Sequence, residues 1–164
     1  TPAINKRPKE LSGGMRQRFG IAQALLGDPK LIIMDEPTAG LDPQERESLN
    51  NVLVNISQGR LVLLSTHIVE DIENLCHHVA IIDSGSLLQN GDVKQLISPL
   101  ENKVWRVNSI CDNFPKHHIL SKNFRYGKSV FRVFGESAPN GTAVSVSATL
   151  QDRYFFELRS KRRA

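Results

Sequence analysis

The sequence predicts an α/β fold with a parallel sheet at its core, followed by a small α+β appendage. Three observations carry this expectation. Two short apolar runs, Leu31–Asp35 and Leu61–Ser65, are separated by a segment with helical periodicity. Each helical segment is bounded by capping and stop signals. From about residue 99 the pattern shifts to alternating strand-like stretches separated by turns. The expected domains are therefore 1–98 and 99–164.

The elements follow in order. Residues 1–10 are polar and basic, with Pro2 and Pro8, and read as a loop. Ser12 suits the N-cap of a first helix. Met15, Phe19, Ala22 and Leu26 recur at helical spacing, with Ile21 and Leu25 beside them. Gly27 and Pro29 stop it. Gly20, inside this helix, costs about 1 kcal/mol against alanine, so close packing is expected there. Leu31–Asp35 is wholly apolar before its acid, as in a strand buried on both faces. Asp42 can cap the next helix, with Pro43 at its first position and Glu45 at its third. Leu49, Val52, Leu53 and Ile56 form its inward stripe, and Gly59 ends it.

Leu61–Ser65 reads as a second buried strand, 68–76 as a short helix and 79–83 as a third strand of the parallel layer. Ser84-Gly85 turns the chain into a return strand over 87–89. In the appendage, 104–107, 124–126, 130–134 and 143–146 read as strands. Tyr126-Gly127-Lys128-Ser129 forms a turn, 137–142 is turn-rich, and 149–158 is a short amphipathic helix.

The composition, 40% hydrophobic and 23% charged, is that of a soluble globular chain. No apolar run approaches the ~20 residues of a membrane span. Cys76 and Cys111 are the only cysteines, which excludes a disulfide framework and suits a reducing compartment. The net charge of +4 is uneven: residues 1–98 hold 9 Lys and Arg against 12 Asp and Glu, residues 99–164 hold 12 against 5. An excess of this size is ordinarily a solvated face, and no nucleic-acid partner is expected.

Three groups of residues could carry chemistry. Asp35 and Glu36 close an apolar strand. Phosphoryl transfer to water needs a metal to spread phosphate charge and a base to orient the attacking water, and adjacent carboxylates can divide those roles. Ser12-Gly13-Gly14 offers a hydroxyl and successive backbone N–H groups at a helix N-terminus, which together favour an anion. His67 follows Ser65-Thr66 at the end of the second strand, within reach of a phosphate or a water. Each group taken alone has an ordinary structural explanation: a strand end, a cap and a lone histidine.

Order and spacing change that. Leu11-Ser12-Gly13-Gly14-Met15 resembles the signature of ABC transporter ATP-binding subunits, with Met15 where glutamine is commonest. Leu31–Glu36 resembles their Walker B strand, Ala39-Gly40-Leu41-Asp42 their D-loop, and Thr66-His67 their switch-histidine loop. The resemblance implies the C-terminal part of an ABC-type P-loop NTPase domain. It implies that ATP and Mg²⁺ are the cofactors. Glu36 would be the general base and His67 the γ-phosphate sensor, and Asp35 would support Mg²⁺ through water. Ser12, Gly13 and Gly14 would serve the ATP of a second subunit in a head-to-tail dimer, and Asp42 would connect the two sites. A transmembrane permease would be the other partner, with the subunit cytoplasmic and peripheral on the inner face of the membrane. Met15-Arg16-Gln17-Arg18, Gly40-Leu41-Asp42-Pro43 and the run Thr149-Leu150-Gln151-Asp152-Arg153-Tyr154-Phe155 are similar to the bacterial exporter branch.

One family component is missing. No G-x-x-x-x-G-K-[ST] precedes the signature. Gly127-Lys128-Ser129 lacks the first glycine and lies between two strands, so it is not that loop. The expectation is a fragment without its phosphate cradle, inactive alone. The alternatives are a soluble ABC ATPase acting on ribosomes or DNA, and a non-hydrolytic interaction module. Cys76-His77-His78 and His117-His118 lack a second ligand cluster for a metal. The tail Arg159-Ser160-Lys161-Arg162-Arg163 reads as a solvated terminus.

Overall fold

A computed structural model describes residues 7–111 and 113–161. The loop reading of residues 1–6, and the part of the basic tail formed by Arg162 and Arg163, lie outside the described residues. The chain divides into two compact units, one up to Asp71 and one from Ile72. That boundary falls ahead of the composition change at residue 99.

The first unit holds helix α1 (Gly13–Ala24), strand β1 (Leu31–Asp35), helix α2 (Pro43–Ile56) and strand β2 (Leu61–Ser65). β1 and β2 pair in parallel, Leu31 opposite Leu61 through Asp35 opposite Ser65. An intervening helix is the usual crossover for parallel strands. α2 starts as its sequence dictates: Asp42 caps it by accepting from the Glu45 N–H at 2.7 Å, and Pro43 opens it. Its buried stripe is Leu49, Leu53 and Ile56, with Val52 exposed.

The two strands are not buried on both faces. Ile32 and Met34 are buried, whereas Leu31, Ile33, Leu61 and Leu63 are 51% to 68% exposed. Among the described residues the sheet has two strands, and its other face has no covering layer. α1 also differs from expectation. Only Gly14 and Ile21 are buried along it, while Phe19 and Leu26 are exposed. Gly20 has open space where a Cβ would sit, so packing does not require it.

Helix α3 (Val69–Leu75) spans the division between the units. In the second unit, strands β3 (His78–Asp83) and β4 (Ser86–Asp92) form their own antiparallel pair, so 79–83 is not a third strand of the parallel sheet. The reason is the turn: Ser84 and Gly85 both take positive φ, 49° and 74°, which folds the chain straight back. Helix α4 (Val93–Ile97) follows. Strands β5 (Val104–Val107), β6 (Ile119–Arg125), β7 (Lys128–Phe134) and β8 (Val144–Ser145) build a sheet in the order β6-β7-β5-β8. Helix α5 (Leu150–Lys161) closes the unit. Its core is Leu100, Val104, Val107, Leu120, Val133 and Leu150, each at most 1% exposed.

A buried ion pair ties α5 to this sheet. Asp152 accepts from Arg132 Nε at 2.8 Å and Nη2 at 2.6 Å, and from the Thr149 N–H and hydroxyl, each at 2.9 Å. One carboxylate thus caps the helix and anchors β7.

Candidate active site

Asp35, Glu36, Thr66 and His67 converge where β1 and β2 end. Parallel pairing puts Asp35 opposite Ser65, so the residues that follow each strand leave side by side. The Ser65 hydroxyl donates to Asp35 Oδ1. The Glu36 N–H donates to the Ser65 carbonyl at 2.8 Å and prolongs the pairing by one residue. Glu36 then turns at φ 47°, a left-handed conformation costly for a residue with a Cβ. That turn aims its carboxylate across to the β2 side.

There the carboxylate is bound at both oxygens. Oε1 accepts from the His67 N–H at 3.0 Å and meets His67 Nδ1 at 2.7 Å, and Oε2 accepts from the Thr66 hydroxyl at 3.1 Å. The Thr66 hydroxyl oxygen also accepts from the Ile68 N–H at 3.0 Å, which fixes its rotamer. An ionised carboxylate only accepts, so the ring proton faces it from Nδ1. The bond from His67 holds the Glu36 carboxyl below its ordinary value of 4.5, against a smaller upward push from desolvation. Glu36 is half-buried and the His67 ring is exposed.

Asp35 borders a cleft of about 190 Å³ lined also by Arg16, Gln17, Gly20 and Met34. No group of three or more His, Cys, Asp or Glu that could hold a metal occurs among the described residues. Asp35 still fits a magnesium ion, which binds through one or two carboxylates and completes its shell with water and phosphate.

The two helix N-termini meet beside this cluster's elements. The Ser12 hydroxyl caps α1, accepting from the Met15 N–H at 3.3 Å. Gly14 is buried against α2: a Cβ on it would lie 2.5 Å from Glu45 Oε1. Asp42 caps the same turn of α2 that carries Glu45. Ser12 and Gly13 remain exposed. Among the described residues, no hydrogen bond joins Ser12 or Asp42 to Glu36 or His67.

Sequence reasoning missed one pair. The Thr38 hydroxyl donates to Asp71 Oδ2 at 2.8 Å, and both residues are buried. The bond ties the loop after Glu36 to the helix after His67. The only local signal was a polar residue between Pro37 and Leu41. Gly127-Lys128-Ser129 lies in the β6–β7 hairpin, with Lys128 and Ser129 already in β7.

Two adjacent carboxylates and a histidine thus meet at the ends of the paired parallel strands, and the capped N-termini of α1 and α2 meet through Gly14 and Glu45. Residues 1–39 match the family model described as ABC transporter. The Nod factor export ATP-binding protein I of Cupriavidus metallidurans is 48% identical over 90 residues, 54% of this chain and 30% of that protein. The methionine import ATP-binding protein MetN 2 of Acinetobacter baylyi is 35% identical over 138 residues, 80% of this chain and 40% of that protein. The solved structure of MJ1267, an ATP-binding cassette of an ABC transporter, matches with a TM-score of 0.52 at 30% identity, over 58% of this chain and 38% of that one. The chain therefore spans well under half the length of these relatives. They include both an export and an import protein, so they do not support placing the chain in the exporter branch specifically.

Proposed function

We propose that this chain supplies the base and switch side of an ABC-type ATPase that energises transport through a separate membrane subunit. The observation that carries this is the bonding of the Glu36 carboxylate, set by a left-handed backbone turn, to Thr66 and His67 at the ends of paired parallel strands. Ionised at neutral pH and oriented by two residues of the neighbouring strand end, Glu36 can take a proton from water, as a weaker base than a free glutamate. His67 donates from Nδ1 to Glu36. Nε2 then donates to a phosphate oxygen only when the ring is an imidazolium, so phosphate contact and ring protonation go together. Asp35 would hold magnesium through water, supplying charge stabilisation for the phosphates. Ser12 and Gly13, exposed at the start of α1, would face the ATP of a second subunit, with Gly14 supporting the turn from beneath. Asp42 would lie at the junction of the two sites. The open apolar face of β1 and β2 supports a longer parent whose further strands and helices cover it. Such a subunit would work at the inner face of the membrane; no helix among the described residues is long and apolar enough to cross one.

The phosphate cradle supplies most nucleotide contacts in such sites. Calorimetry with MgATP tests the proposal. The chain alone is expected to show no micromolar binding, whereas a chimera with a half-domain carrying G-x-x-x-x-G-K-[ST] ahead of Thr1 is expected to bind. Micromolar binding by the chain alone, or none by a folded chimera, would contradict it.

A further inference from the structure

The β6–β7 hairpin projects a surface that the ATPase reading does not use. Its turn is Tyr126-Gly127, both at positive φ (50° and 74°), the two-residue turn that matches strand twist. Phe124 is 71% exposed and Tyr126 93% exposed, the latter at the very tip. Lys122, Arg125 and Lys128 flank them, all exposed and none in an ion pair among the described residues. No carboxylate occurs in the sequence between Asp112 and Glu136. The other arginine of the hairpin, Arg132, is occupied by Asp152.

The cations lie over the rings. Lys122 Nζ is 5.5 Å from the ring centres of both Phe124 and Phe131, and Arg125 Cζ is 5.7 Å from that of Tyr126. Opposed strands place Lys122 beside Phe131 and Phe124 beside Ser129, so three of these side chains share one face. This arrangement discriminates between anionic partners. A single-stranded nucleic acid binds by stacking bases on open ring faces. Here each ring already has one of the chain's own cations over it. A lipid headgroup layer needs no free ring face. It takes apolar bulk at the interface, aromatic rings at headgroup depth and cations reaching phosphate.

We propose that the β6–β7 hairpin is a docking site for an anionic lipid surface, with Phe124 and Tyr126 entering the interface and Lys122, Arg125 and Lys128 pairing with headgroup phosphates. The contact is peripheral and salt-sensitive, since exposed charges are screened within about 8 Å at physiological ionic strength.

The test is co-sedimentation of the chain with vesicles of phosphatidylglycerol and phosphatidylcholine, or of phosphatidylcholine alone. Binding is expected only to the anionic vesicles. Each cation near such a surface contributes about fivefold, so the triple variant K122Q/R125Q/K128Q is expected to bind on the order of 100-fold more weakly. F124S/Y126S is expected to lose binding as well, although all cations remain. Retained far-ultraviolet circular dichroism shows that these surface variants fold. In a second measurement, Y126W is expected to be quenched by brominated lipid in the anionic vesicles. Failure to bind anionic vesicles overturns the proposal, as do equal binding to neutral ones, undiminished binding by either folded variant, and no quenching of Y126W. Tighter binding to a single-stranded oligonucleotide, lost in the same variants, would assign the hairpin to nucleic acid and overturn it too.

Discussion

Replacing Asp152 with alanine should unfold the second unit at much lower denaturant. Asp152 is 2% exposed and accepts four hydrogen bonds, two of them from the Arg132 guanidinium. Removing it leaves Arg132, mostly buried, with the Ser147 carbonyl at 2.7 Å as its one remaining acceptor among the described residues. Breaking a buried pair by deleting one partner costs about 3–5 kcal/mol. The lost helix cap overlaps that figure and is not added to it. With a urea dependence of about 2 kcal/mol/M, the midpoint should fall by about 2 M. Trp105 reports the event: it is the only tryptophan, it pairs with Val133 in the same sheet, and its Nε1 donates to the Gly135 carbonyl at 2.9 Å. Glu136→Ala is the control. Its pair with Lys103 is a surface one in the same unit, with Glu136 72% exposed, and its loss should cost about 0–1 kcal/mol. Equal midpoint shifts for the two variants would refute the assignment of Asp152 as the anchor of α5.

Two other outcomes are expected. In His67→Ala the Glu36 carboxyl should titrate higher, back toward 4.5, because the bond that lowers it is gone; side-chain NMR titration reads this directly. A lowered folded value favours the native state above the unfolded one, so the stability that His67 gives through Glu36 should be present at neutral pH and vanish as pH falls through the lowered value. An exposed Cys111 should react with a thiol reagent well before Cys76, whose thiol burial pushes up, and mass spectrometry of partly labelled protein would show the order.

Much of the site was legible because local rules wrote it. Asp42-Pro43 with Glu45 is a helix start whatever lies around it, and the structure forms that cap. Asp35-Glu36 at the end of an apolar run, and Ser65-Thr66-His67 at the end of another, needed only parallel pairing to meet. The bonding between them was not legible. It depends on the left-handed turn at Glu36, and nothing in the residues forces a glutamate to φ 47°. Thr38 and Asp71 are 33 positions apart, and local pattern carries no information about such a pair. The open faces of β1 and β2 were misread for a related reason. Leu31-Ile32-Ile33-Met34 is apolar throughout, and an apolar run looks the same whether one or both faces are covered. Gly20 was misread because an interior glycine suggests contact, whereas here it borders the Asp35 cleft.

Single-turnover ATP hydrolysis by the chimera that restores a phosphate loop ahead of Thr1 tests the assigned role of Glu36 most directly. The unsubstituted chimera should hydrolyse bound ATP. Glu36→Gln keeps the shape and removes the basic oxygen, and should slow that step by about 10²–10⁴-fold while leaving MgATP affinity near the parent value. Hydrolysis by the Glu36→Gln chimera at the parent rate would contradict the assignment of Glu36 as the base.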